Sequence, residues 1–214
     1  MSKTLANILL DVNSTLDLEA SAPTGDELTT RANYANQSIW DASASGQLSE
    51  FKNEYLVGIS NNATVPLPSN FREIQENPQL FNNNEWTSFP AVEVEEKYGL
   101  GTTEYYSYVL GNPSGGYNLI LNNPIADATV SVIYQRYPSG LLTLTDICEL
   151  SDPQFVTRKV ESYVLYSRSD ERFPIADQRA EQQLANMMGR EMKASSGQSG
   201  DTRMKFNNPL EDLA

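Results

Sequence analysis

Three acidic side chains crowd one short stretch, Glu93, Glu95 and Glu96, and neighbouring carboxylates are the groups that hydrolyse glycosides or hold calcium. Alternation with Val92 and Val94 puts the valines on the opposite side of an extended backbone from Glu93 and Glu95, the pattern of a solvated face. Tyr105, Tyr106 and Tyr108 form a second candidate, a platform on which sugar rings stack, with cross-strand packing as the competing use. Gly99 and Gly101 make a Gly-x-Gly step, but no third glycine follows at the spacing a dinucleotide-binding turn needs. No phosphate loop, metalloprotease helix or serine elbow is present. The chain has no histidine and one cysteine, Cys148, so it lacks the commonest general base, the Ser–His and Cys–His arrangements and an ordinary zinc site. The expectation is a non-enzyme with no catalytic, cofactor-binding or metal-binding residues.

Composition sets the frame for that expectation. The 214 residues suit one large or two small domains able to bury a core without metals or disulfides. Apolar residues are 39 %, below the globular average of about 45–50 %, and much of the polarity is neutral Asn, Gln, Ser and Thr. That balance favours turn-rich β-structure and wet interfaces. A formal charge of -13 disfavours a phosphate-neutralising grip on nucleic acid. Cys148, with apolar Ile147 and Leu150 nearby, reads as an ordinary core or boundary thiol. No apolar run approaches the ~20 residues needed to span a bilayer, and Met1–Leu10 lacks the apolar stretch of a signal peptide. A cytosolic protein is expected.

The elements that must position any site follow from periodicity. Lys3 to Leu18 carries Leu5, Ile8, Leu9, Val12 and Leu16 on one helical stripe. Thr24 with Glu27 resembles a capping box opening a helix to about Ser45, stopped near Gly46, with Leu28, Ala32, Ala35, Ile39 and Ala42 inward and Tyr34 and Trp40 at its flank. From Ser49 the vocabulary turns to strands and turns, with strands expected at Phe51–Ile59, Ala63–Leu67, Glu73–Gln75, Tyr105–Leu110, Tyr117–Leu121 and Thr129–Tyr137. Gly111–Gly116 joins a hairpin, and a turn at Asn122–Pro124 extends it to a three-stranded meander. Asn82–Asn84 reads as an exposed loop, and Val92–Tyr98 as a short acidic helix or an outward excursion. Asp152 and Pro153 open a helix with Val156, Val160, Tyr163, Val164 and Ser167 inward. Phe173–Pro174 reads as a turn before a helix over Ile175–Lys193 with Ala176, Ala180, Leu184, Met187 and Met188 inward. Asp152–Lys193 holds seven acids and seven bases, so the acidic excess lies in Met1–Ser151 and the tail.

These elements predict an α+β fold: a helical bundle from the N-terminal helices (1–48) and the C-terminal helices (139–194), an inserted antiparallel β-module (49–138), and an extended C-terminal arm (195–214). The arm starts with the linker composition of Ser195–Gly200 and continues with Arg203, Met204, Lys205, Phe206, Pro209 and Leu210, anchors and a basic pair that suit ordering on a neighbouring subunit or partner, with a disordered terminus as the competing reading.

The segment Val65-Pro66-Leu67-Pro68-Ser69-Asn70-Phe71 behind an N-terminal helix pair, and Val132-Ile133-Tyr134-Gln135-Arg136-Tyr137-Pro138 ahead of the last helices, resemble the head-to-tail adaptor (connector) proteins of tailed bacteriophages. Leu67–Phe71 matches that family's Leu-Pro-small-Asn/Asp-Phe step, and Tyr134, Arg136 and Pro138 approximate the close of its β-module. The likeness covers roughly Gly25 to Lys193. It implies a homo-oligomeric ring, usually twelve-fold, in the virion neck and assembled in the host cytoplasm. Such a ring joins the portal protein to tail or nozzle proteins, passes DNA through its channel without specific binding, and contacts no membrane. The arm residues Arg203 to Leu210 would then lie on the portal. The alternative function is a virion β-module that binds carbohydrate or a host receptor through the tyrosine platform.

Overall fold

The computed structural model of the chain describes residues 2–198, apart from 19–20, 61–62, 102 and 124, with side chains as far as residue 193. Among the described residues, four helices and eight strands form the predicted α+β layout, with the strands inserted between two helix pairs. Helix α1 (Leu5–Thr15) is opened by the Thr4 hydroxyl, which accepts the Asn7 amide, and buries Leu5, Ile8, Leu9 and Val12 as one stripe. Helix α2 (Gly25–Ala44) buries Ala32, Ala35, Ile39 and Ala42. The expected capping box is not formed. Gly25 takes a φ of +59° and Thr24 makes no side-chain cap hydrogen bond, while Glu27 is drawn one turn forward into an ion pair with the buried Arg31.

In the C-terminal pair, α3 (Gln154–Ser167) follows Pro153, and the Asp152 carboxylate accepts the Gln154 amide at 3.2 Å. Val156, Val160 and Val164 are buried as expected, joined by Phe155 and Leu165, whereas Ser167 is exposed and bonds back to the Val164 carbonyl. Helix α4 (Phe173–Gln198) is longer than expected. Phe173 and Pro174 belong to its first turn, where proline's missing N–H costs nothing. The reversal lies earlier, at Ser169 with φ +55° and at Asp170, whose carboxylate accepts the Arg172 amide at 2.9 Å.

The four helices close one core, in which Leu48, Phe51, Leu141, Cys148 and Leu150 also lie. A buried cation braces it: Lys159 on α3 donates to Asp177 at 2.9 Å and Glu181 at 2.5 Å on α4. Beside it Tyr163 donates to Asp41 on α2 at 3.1 Å. Burial works against the lysine's charge, but the hydrogen bonds to Glu181 and Asp177 outweigh it and carry its pKa up to about 12.

The β-module is a second core between two sheets. Strand β8 (Ala128–Arg136) pairs antiparallel with β1 (Lys52–Ile59) on one side, and on the other with β3 (Phe71–Ile74) and β4 (Gln79–Asn82) in succession. Strand β5 (Glu85–Ser88) continues from β4. The second sheet orders β2 (Thr64–Pro66), β7 (Gly116–Leu121) and β6 (Ser107–Asn112). The β6–β7 hairpin is as expected: Asn112 Oδ1 accepts the Ser114 and Gly115 amides, and a Cβ on Gly111, at φ +139°, would collide with the Gly116 carbonyl.

The expected meander is not formed, because β8 leaves β7 and crosses to the other sheet. Val130, Val132 and Tyr134 are buried on one face, and Ser131 and Gln135 on the other. A strand buried on both faces belongs in the centre of a sheet, and an outer place in a meander would leave one flank unpaired. Of the turn expected at Asn122–Pro124, Pro124 lies outside the described residues. The expected loop at Asn82–Asn84 is instead the tight turn of the β4–β5 hairpin, with Asn83 and Asn84 at φ 50° and 64°, the left-handed pair that two-residue hairpins require. Between Val92 and Tyr98 the chain forms only a short 3-10 turn, Glu96–Gly99.

Candidate functional site

The two cores meet at a polar and aromatic junction. Trp40 of α2 stacks on Tyr137 with ring centroids 5.2 Å apart and planes 12° from parallel. The Arg72 guanidinium lies over both rings and donates to the Ser43 hydroxyl at 3.1 Å. Gln135 donates to the Ser43 carbonyl, and Arg136 to the Glu50 carbonyl at 2.9 Å and to Glu149 at 2.7 Å. The end of α2 and the 3-10 turn at Glu50 are thus tied to β8 by side-chain hydrogen bonds to backbone carbonyls, which holds the β-module in a defined place on the bundle. Sequence reasoning put Trp40 at the flank of α2 and missed its partners, because Arg72 and Tyr137 are distant in the chain.

Exposed apolar side chains mark two surfaces. On the five-stranded sheet, Leu56 stands opposite Ser131, and Gly58 shares a row with Thr129, Phe81 and Trp86. Directly paired residues share a face, so Leu56, Phe81 and Trp86 project together, away from the buried Val130 and Leu80. The second surface is the α3–α4 turn, with Tyr166 packed on Phe173 at 5.1 Å and Ile175 beside it in the chain. Leu56, Trp86, Tyr166 and Ile175 are each more than half exposed. Ser49, at the start of the β-module, donates to Glu191 of α4 at 3.2 Å. From Glu191 back to Phe173 the helix rises ~27 Å at 1.5 Å per residue, so the β-module meets α4 at the end opposite the α3–α4 turn.

A groove of about 500 Å³ opens between β3, the 91–96 segment and the β6–β7 hairpin. Hydrogen bonds from Val92 to the Ser107 carbonyl and from Ser107 to the Pro90 carbonyl hold the 91–96 segment against β6. The alternation seen in the sequence is kept: Val92 and Val94 are half-buried and Glu93, Glu95 and Glu96 exposed. Glu73, Glu93 and Glu96 border the groove over Ile74, Val92 and Tyr108. The three tyrosines do not form one platform: Tyr105 packs on Phe89 at 5.1 Å, whereas Tyr106 and Tyr108 stack at 6.4 Å with Lys97 over Tyr108 at 4.5 Å. Gly99 ends the 3-10 turn and Gly101 follows it, with no helix behind them to form a phosphate cradle.

Cys148 is buried, and burial first of all pushes its thiol pKa up. Among the described residues no cluster of three His, Cys, Asp or Glu side chains is arranged to hold a metal, and no helix is long and apolar enough to cross a membrane. The arm residues Arg203, Met204, Lys205, Phe206, Pro209 and Leu210 lie outside the described residues. The fold and these surfaces define an α+β chain with two cores and a braced junction between them. No protein-family model matches the chain, and no curated protein matches it.

Proposed function

We propose that this chain is a structural, non-enzymatic assembly subunit, a head-to-tail adaptor whose copies form a ring that joins a portal to tail or nozzle proteins. The observation that carries the reading is the pair of exposed apolar surfaces, one on the α3–α4 turn and one on the β-module that meets α4 at its other end. A subunit that bridges two partners along one axis needs a sticky surface at each end. A ring closed by rotation supplies the lateral contacts. The acidic balance of the chain suits a channel wall from which DNA slides away. In this reading Arg203 to Leu210 are the portal-binding segment, the virion neck is the location, and the channel makes no base-specific contacts.

The test mixes the purified chain with portal assemblies and examines the product by electron microscopy. The expected result is a ring stacked coaxially on the portal, lost when Tyr166→Asp and Ile175→Asp are combined. Absence of any portal complex from the parent chain would overturn the reading. Glycan-array binding that disappears with Tyr106→Ala would instead favour the carbohydrate-binding alternative, for which the stacked Tyr106 and Tyr108 speak.

A further inference from the structure

The groove on the β-module has an occupant of the right chemistry within the same chain. Its borders are acidic, through Glu93 and Glu96, and its walls apolar, through Ile74, Val92 and Tyr108; Glu73 lines it too, but its carboxylate accepts from Gln75 and lies toward Gly46 and Gln135. The whole module, residues 49–138, has ten acidic residues against four basic. Arg72 lines the groove too, but its guanidinium is held against Trp40, Tyr137 and Ser43. Lys97 rests on the Tyr108 ring, so the chain already uses this border to seat a cation.

Beyond α4 the chain reads Arg203-Met204-Lys205-Phe206, bases alternating with large apolar side chains and no acid among them. On an extended backbone such alternation sends the two bases to one side and Met204 and Phe206 to the other. Position agrees with chemistry. Glu191 of α4 meets Ser49, which opens the 3-10 turn Ser49–Phe51 ahead of β1, and β8 alone separates β1 from β3, one wall of the groove, a span of two strand spacings or about 10 Å. The helix carries the chain ~10 Å past Glu191 to Gln198, and Arg203 to Phe206 are five to eight residues further, a reach of ~17–29 Å at full extension that can cover both distances.

We propose that the groove is the docking site of the chain's own C-terminal segment, Arg203–Phe206. Met204 and Phe206 enter between the apolar walls, and Arg203 and Lys205 pair with the acidic border. Each free subunit then carries its arm on its own β-module, and the arm passes to the portal only on assembly. The docking itself does not depend on the adaptor reading.

A zero-length carbodiimide applied to the full-length, unassembled chain tests this, because it joins an amine to a carboxylate only where the two touch. The expected product is an amide between Lys205 and Glu93 or Glu96, found by peptide mass spectrometry in the band of single-chain mass. Phe206→Asp should cut its yield at least tenfold. Linkage of Lys205 to these glutamates only in a double-mass band would overturn the proposal in favour of a second copy's arm. Linkage elsewhere, or none, would overturn the groove as the site. Neither outcome depends on ring formation, so a failed portal experiment and a failed docking experiment remain distinct.

Discussion

Replacing Lys159 with Met isolates the charge that braces α3 against α4, since methionine keeps most of the apolar stem. The lysine side chain is only 10 % exposed, while its partners Asp177 and Glu181 keep 36 % and 56 % exposure. Breaking a fully buried pair from one side costs about 3–5 kcal/mol. Here water takes over part of the solvation of the abandoned carboxylates, so we expect a loss of about 2 kcal/mol. For a chain of this size that is a fall in Tm of roughly 4–8 °C. The pH dependence follows from the same contacts. Burial by itself would raise Asp177, but the hydrogen bonds from Lys159 and Ser162 hold it below its ordinary 3.8. A depressed carboxylate adds stability that is present above its unfolded pKa and is lost as pH falls through the lower folded value. Lys159, raised from 10.5 to about 12, adds stability that is complete below 10.5 and is lost as pH rises through the folded value. The difference between parent and K159M should therefore be flat from about pH 5 to 9 and shrink below about pH 4. Urea titrations followed by tryptophan fluorescence and circular dichroism measure it. Equal midpoints at neutral pH, or a gap that persists undiminished at acid pH, would refute the reasoning. Adding Asp177→Asn should recover part of the loss, because only the more exposed Glu181 then remains as an abandoned carboxylate beside the methionine.

Two further outcomes probe the cores. Leu80→Ala, at a position with no exposure in the centre of the β-module core, should cost about 2–5 kcal/mol in denaturant titrations, and a loss under about 1 kcal/mol would contradict the packing described. Cys148, buried and with its thiol pKa raised, should react with Ellman's reagent at mildly alkaline pH at least ~10-fold more slowly in the folded chain than in urea, and equal rates would show that the link carrying it opens freely.

The four helices and most of their buried stripes were decided by the sequence alone, though not the start of α4 at Phe173 or the exposure of Ser167, because a 3.6-residue period is a local property that a bundle only has to accept. Leu5, Ile8, Leu9 and Val12 on α1 and Ala32, Ala35, Ile39 and Ala42 on α2 are buried as their spacing predicts. The β6–β7 hairpin was likewise determined locally by Gly111 to Gly116. The β4–β5 hairpin had its signal too, in Asn83–Asn84 between Gln79–Asn82 and Glu85–Ser88, but consecutive asparagines read equally as open loop until their left-handed backbone is seen. Strand pairing was decided only by the tertiary structure. Chain order made β8 the third strand of a meander, whereas the need to cover both its faces and both its edges sends it between β1 and the β3–β4 pair. The junction and the groove belong to the same class. Trp40, Arg72 and Tyr137, or Glu73, Glu93 and Tyr108, are unremarkable where they stand in the chain, and only the crossing of β8 and the folding of the 91–96 segment onto β6 bring them together. Local periodicity determines which face of an element is apolar, and long-range burial determines which element it meets.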